Sequence, residues 1–194
     1  MRVVIGLGNP GRKHERDRHN AGFMVLDRIA ARWGTPIERA RHSAHIGEAV
    51  LAGERVLLVK PQRYMNACGV AAESVARYYR MVPAMFVAIH DDMDLPLGRV
   101  RVRPSGGTAG HRGVSSLIEH LGDPGFARVR LGIGRPPTGW DPVDFVLAPF
   151  NETEQELIRV ALERAAEAVE VLIVEGAERA MNRFNSGGEG AAPR

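Results

Sequence analysis

Apolar residues fall in short runs separated by polar, glycine-rich stretches, and the period of each run predicts its element. Val3–Leu7 is a continuous apolar run that stops at Gly8, the pattern of a buried strand. A polar loop from Asn9 to His19 follows. Asn20 then stands as a helix N-cap before Phe23, Leu26, Ile29, Ala30 and Trp33, which share one helical face, with Gly34 as the stop. Ile46–Leu51 and Arg55–Val59 flank Ala52-Gly53-Glu54, the signature of a hairpin. Pro61–Asn66 reads as a loop, Val70–Tyr79 as a helix closed by Pro83, and Met85–Ile89 as a short central strand.

The second half alternates in a different way. Arg99–Arg103 interleaves arginine with valine, and Ala127–Ile133 interleaves Arg128 and Arg130 with Val129, Leu131 and Ile133; both predict strands with one wet face. Ser105–Gly113 is a glycine-rich loop before a helix carrying Leu117, Ile118 and Leu121. Arg135–Pro142 reads as a loop. Asn151 with Glu154 forms a capping-box pattern opening a long helix to about Val174. A final helical segment carries Met181 and Phe184, and the Gly-rich tail from Ser186 is expected to be disordered. Strands alternating with helices, plus a hairpin and no linker, predict one α/β domain over residues 1–185, with a mixed central β-sheet flanked by helices on both faces.

Composition narrows the functional classes. The chain has 194 residues, 44% hydrophobic and 25% charged, which suits a soluble globule with a single core. No apolar run approaches the roughly 18–20 residues of a membrane span, and MRVVIGLGNP lacks a signal-peptide pattern. Cys68 is the sole cysteine, so no intramolecular disulfide can form and a cytoplasmic protein is expected. The net charge is only +3, but Arg99, Arg101, Arg103, Arg112, Arg128, Arg130 and Arg135 crowd one region. On a shared face they would attract phosphate; on an edge strand they would merely discourage aggregation.

Several motifs carry possible chemistry. GLGNPG (Gly6–Gly11) matches G-x-G-x-x-G, but Pro10 and the polar stretch to Arg18 open no helix there, so a dinucleotide site is rejected. Its glycines instead suit a tight turn that lets backbone approach a ligand, with Asn9 just past a strand end. His19 precedes a helix, whose dipole disfavours an added positive charge and favours the neutral imidazole of a general base; a plain surface or capping histidine is the alternative. In HDDMD (His90–Asp94), a carboxylate could fix the His19 tautomer. A solvated acidic loop or a metal site from His90, Asp91 and Asp94 are the other readings, the last without recognised ligand spacing. Asn66 in YMNACG (Tyr64–Gly69) could hold a water or polarise a carbonyl, or simply cap a helix. Cys68 sits among small residues as a packing group more than a nucleophile. SGGTAGHRG (Ser105–Gly113) could offer backbone N–H groups to phosphate but is no P-loop, since no Gly-Lys-Ser/Thr follows.

Taken in order, GLGNPG, RHNAGF, KPQRYMN, VAIHDDMDLPLGRVRVRPSGG, GHRG, RVRLGIGRP, DFVLAPF and NRFN closely resemble the bacterial peptidyl-tRNA hydrolase family from Val3 to Asn185. The resemblance implies a monomeric α/β enzyme that cleaves the ester between a peptide and the 3′ end of tRNA, with no metal or organic cofactor. It implies His19 as general base, Asp91 as the acid that stabilises it, and Asn9 as the residue that separates blocked from free aminoacyl groups. It places Tyr64, Met65 and Asn66 among the substrate contacts near the single-stranded 3′ CCA end, and Arg103 and Arg130 as a clamp for the tRNA 5′ phosphate at the acceptor stem. His14 stands where the family usually has tyrosine and Arg112 where it usually has asparagine; both positions are credited with tRNA contact. A relative that binds RNA without hydrolysing it is the alternative.

Overall fold

A computed structural model of the chain describes residues 1–186, so the expected tail lies, from residue 187 on, outside the described residues. Seven strands form one mixed sheet in the order β2-β3-β4-β1-β5-β7-β6. The central strands β4 (Glu54–Pro61), β1 (Arg2–Gly6), β5 (Phe86–Asp92) and β7 (Ala127–Gly132) run parallel. The outer strands β2 (Arg39–Arg41), β3 (Ala44–Leu51) and β6 (Val100–Arg103) run antiparallel to their neighbours.

Successive residues of a strand face opposite sides, and here each side is buried under helices. Val4, Leu58, Val87, Ile89 and Val129 pack beneath α1 (Ala21–Arg32) and α5 (Glu152–Val174). Val3, Ile5, Leu57, Ala88 and Phe126 pack beneath α2 (Gly69–Tyr79) and α3 (Arg112–Leu121). The continuous apolar runs of β1 and the start of β5 follow from this double burial. Two further helices, α4 (Pro142–Val146) and α6 (Ala177–Asn185), complete the fold. No helix among the described residues is long and apolar enough to cross a membrane.

The expected elements form, with three informative differences. The chain of β5 continues through His90, Asp91 and Asp92, so these residues are strand, not loop, and all are buried. The helix α2 ends at Arg80 in the left-handed conformation (φ 55°), before Pro83 is reached. The stretch expected as a loop up to Pro142 runs into the short helix α4, started by the Asp141 side chain accepting from Val143 N–H. Asn151 and Glu154 form the capping box of α5 as expected.

Edge strand β6 is protected from one side by a side chain. Asn185, in the NRFN segment, accepts the Val102 N–H at 2.7 Å and donates to the Val102 carbonyl at 2.9 Å, imitating a further strand.

Gly6, Gly8 and Gly22 serve packing, whereas Gly11 stands in open space in the left-handed region (φ 101°) and turns the chain. A Cβ on Gly22 would lie 2.3 Å from the Ile89 carbonyl oxygen, and one on Gly6 would lie 2.5 Å from that of Gly22. Helix α1 therefore touches β1 and β5 backbone to backbone, and this contact brings the residues just before α1 to the end of β5.

Candidate functional site

Parallel sheets leave their ligand sites beyond the carboxyl ends of the strands. Here β1 delivers Asn9, β4 delivers the 3-10 turn Met65–Ala67, and β5 delivers Asp91 to one such edge. A cavity of about 450 Å³ opens there, a size suited to a small organic group. Asn9, His19, Tyr64, Met65, Asn66 and Arg112 all line it, together with Asp91.

At its centre is one buried carboxylate serving two imidazoles. His19 lies in a 3-10 turn (Arg18–Asn20) that runs into α1. Its Nδ1 is 2.9 and 3.0 Å from the two carboxylate oxygens of Asp91. Asp91 is 2% exposed, so this contact is shielded from water. A second ring reaches the same acid, with His111 Nε2 2.9 Å from Asp91 Oδ1. His111 is also the N-cap of α3, and its Nδ1 accepts the N–H groups of Gly113 and Val114 at 3.1 and 3.3 Å. An imidazole nitrogen that accepts carries no proton, so the His111 proton is on Nε2 and is donated to Asp91. Burial opposes a charge on Asp91, but His111 and His19 outweigh it and hold the carboxyl well below the usual carboxylate range. With Nδ1–H of His19 donated to that carboxylate, Nε2 is the nitrogen left to take up a proton.

Asn9 is held as firmly. Its N–H donates to Asn20 Oδ1 at 2.8 Å, and Asn20 Nδ2 donates back to the Asn9 carbonyl at 2.9 Å. Asn9 Oδ1 accepts the Met65 N–H at 2.8 Å, which leaves its Nδ2 as the donor without a protein partner among the described residues. Asn20 thus clamps Asn9; its side chain does not cap α1, contrary to expectation. Asn66 is exposed within its 3-10 turn and caps no helix, since α2 begins at Gly69.

The remaining candidates divide. Tyr64 is 58% exposed at the cavity mouth, and the His14 ring meets its edge at 6.4 Å between centroids. His14 Nδ1 is 2.6 Å from Asp17 Oδ2 and lies outside the cavity lining. Arg112 is exposed on the cavity rim with no ion pair among the described residues. Arg101, Arg103, Arg128 and Arg130 lie on one face, because Arg101 pairs in register with Arg130 and Arg103 with Arg128. They are not equally free. Arg128 is buried and donates to the Gly106, Gly107 and Pro124 carbonyls, pinning the glycine-rich loop. Arg130 is paired with Asp92, while Arg103 is exposed.

Two other chemistries fare differently. Cys68 is fully buried and its thiol is pushed up to about 12, which denies it a nucleophilic thiolate. The alternative metal set of His90, Asp91 and Asp94 does not assemble among the described residues. His90 Nδ1 bonds the Asp91 carbonyl at 2.7 Å, and Asp94 pairs with Arg135. The group whose donor atoms do converge, within 4.8 Å, is His19, Asp91 and His111. Metal binding there would require His111 to lose the Nε2 proton that its backbone contacts fix in place.

Sequence reasoning missed His111 and the clamp by Asn20. The signal for His111 was its place in GHRG, directly before a helix, where an imidazole can accept N–H groups.

Fold and cavity together define an α/β protein with a carboxylate–imidazole site of the hydrolytic type at the open edge of its sheet. The family model described as peptidyl-tRNA hydrolase matches residues 3–192, and the chain belongs to that family. It is 48% identical to the peptidyl-tRNA hydrolase of Moorella thermoacetica over 94% of this chain and 97% of that one. It is 45% identical to that of Brevibacillus brevis over 96% and 98%. The crystal structure of peptidyl-tRNA hydrolase from Acinetobacter baumannii superposes with a TM-score of 0.90 at 30% identity, covering 96% of this chain and 95% of that one.

Proposed function

We propose that this chain hydrolyses the ester between a peptide, or an N-blocked aminoacyl group, and the 3′ ribose of tRNA. The observation that carries the mechanism is the His19–Asp91 contact of 2.9 Å at the floor of a cavity that also holds the free Nδ2 of Asn9.

An ester is more reactive towards water than an amide, so one oriented water and one base suffice. His19 Nε2 takes a proton from water as the oxygen attacks the carbonyl carbon, and the Asp91 carboxylate stabilises the resulting imidazolium. The tetrahedral intermediate collapses by breaking its bond to the ribose oxygen. The imidazolium returns the proton to that oxygen, leaving a free 3′-hydroxyl on tRNA and a peptide carboxylic acid, which gives up its remaining proton to solvent. General base assistance of this kind contributes about 10²–10⁴-fold in rate.

Asn66 holds the water or the developing oxyanion. Asn9 Nδ2 donates to the peptide carbonyl beyond the ester, a group that a free aminoacyl ester lacks. The unpaired 3′ CCA end enters beside Tyr64 and Met65, where bases can stack on an exposed ring. Arg103 and Arg112 attract phosphate directly, whereas Arg130 does so in competition with Asp92. We take the working form to be a cytoplasmic monomer with no cofactor.

The intact His19–Asp91 pair favours hydrolysis over RNA binding alone. The test is release of label from an N-acetylated aminoacyl-tRNA and from its unblocked counterpart. The proposal expects rapid cleavage of the first and little of the second. Cleavage of neither, with RNA still bound, would favour the non-hydrolytic reading; equal cleavage of both would remove the role of Asn9.

A further inference from the structure

Arg18 precedes His19 in the chain, yet its side chain takes no part in the cavity lining. It is 5% exposed and enters the seam between the His19 turn and the segment from α4 to α5. Nη1 and Nη2 donate to the two carboxylate oxygens of Glu154 at 3.0 and 2.7 Å. The guanidinium carbon stands 4.4 Å from the ring centre of Phe145 and 4.8 Å from that of Phe150. The backbone repeats the attachment, with the Arg18 N–H on the Ala148 carbonyl at 3.0 Å and Asp17 bridged to Pro149.

One guanidinium therefore joins three pieces. The first is the turn that carries His19. The second is α4, whose Val143 and Val146, with Leu147 just after it, form an apolar part of the cavity wall. The third is the start of α5, where Glu154 also accepts the Asn151 N–H at 2.8 Å.

A buried ion pair contributes little net stability, because desolvation offsets most of the attraction. It is strict in geometry, since the planar fork fits a carboxylate in one plane and stacks flat on aromatic faces. We infer that Arg18 is a positioning residue: through Glu154 and the two phenylalanines it sets the α4 wall relative to the His19 ring, and so fixes how the ester-linked residue of the substrate lies against the base. The inference rests on the reading of His19 as general base.

The test compares kcat and KM of the full chain, Arg18→Lys and Glu154→Gln on N-acetyl-phenylalanyl-tRNA and N-acetyl-glycyl-tRNA. Lysine keeps the charge but loses the fork and the stacking. Glutamine at residue 154 can still form the capping box, so α5 keeps its start, and the change lies on an element that does not carry His19. Thermal unfolding fixes an assay temperature at which each variant is folded. Misplacement by about 1 Å can lower a rate by about 10², so kcat should fall at least about tenfold on both esters in both variants. KM should rise chiefly for the phenylalanyl ester, which leans on the α4 wall. A folded Glu154→Gln enzyme with wild-type kcat on both esters overturns the inference, because a merely structural pair moves only the unfolding temperature. His19→Ala in parallel separates the two ideas: normal turnover there removes the base, whatever the Glu154 variant does.

Discussion

Asp91→Asn tests how one carboxylate controls two rings. The substitution keeps the shape and removes the charge. Two consequences follow from the distances. His19 Nδ1 sits at nearly equal range, 2.9 and 3.0 Å, from both oxygens, so the amide would present it with an acceptor and a donor together. The carboxylate enforces a proton on Nδ1; the amide does not. His111 adds a constraint, since its Nε2–H demands an acceptor at the Oδ1 position, 2.9 Å away, and so places the amide NH₂ at the Oδ2 position against His19. Loss of one hydrogen bond to a charged acceptor is worth about 1.5–3 kcal/mol, or roughly 10–150-fold in rate. If His19 moves to the wrong tautomer, its Nε2 lone pair is lost and the fall approaches about 10⁴, as in a serine-protease triad. Asp91 is buried beneath both rings, so KM should barely move. The assay is single-turnover cleavage of an N-acetylated aminoacyl-tRNA, with unfolding curves to show that the variant is folded. A rate within threefold of wild type would refute the reasoning.

Three further outcomes are expected. Burial, with His111 beside it, pushes His90 down to about 3, so between its ordinary value near 6.5 and that point the unfolded chain binds a proton that the folded one does not. Stability should therefore be lost as the pH is lowered through this window, by on the order of 1 kcal/mol per unit, and the urea midpoint of His90→Asn should drop less between pH 6.5 and 4.5; parallel slopes would contradict this. Cys68 should resist alkylation in the native state and react on unfolding, and rapid labelling of the folded protein at pH 8 would show the thiol to be accessible. Gly22→Ala should lose more than about 3 kcal/mol of stability, beyond the usual range of point substitutions, because its Cβ would meet three backbone atoms of β5 and the β1 end within 2.5 Å; an unchanged thermal midpoint would mean that α1 can move away without consequence.

The fold was legible where the apolar period was long and the capping chemistry local. Val3–Leu7, the hairpin around Gly53 and the Asn151–Glu154 box all form as their residues dictate. The site was legible in part. Asn9, His19 and Asp91 stand where a strand end or a helix start can be read, and they converge. What the pattern hid is long-range pairing. The acids of HDDMD read as lying past the strand end because charge normally ends a strand, and the two imidazoles explain how Asp91 stays buried and ionised within β5. Arg128 looked like part of a phosphate surface because its alternation with Val129 matches that of Arg130; its burial depends on a glycine loop more than 20 residues away in sequence. Asn20 looked like a cap because position alone suggests one, while its partner is Asn9 across the turn.

The central claim concerns the free nitrogen of His19. Single-turnover hydrolysis of an N-acetylated aminoacyl-tRNA by His19→Ala, compared with wild type at equal occupancy, addresses it most directly. The account predicts a rate lower by about 10²–10⁴ with substrate binding intact. Cleavage within a few-fold of wild type would mean that another group activates the water.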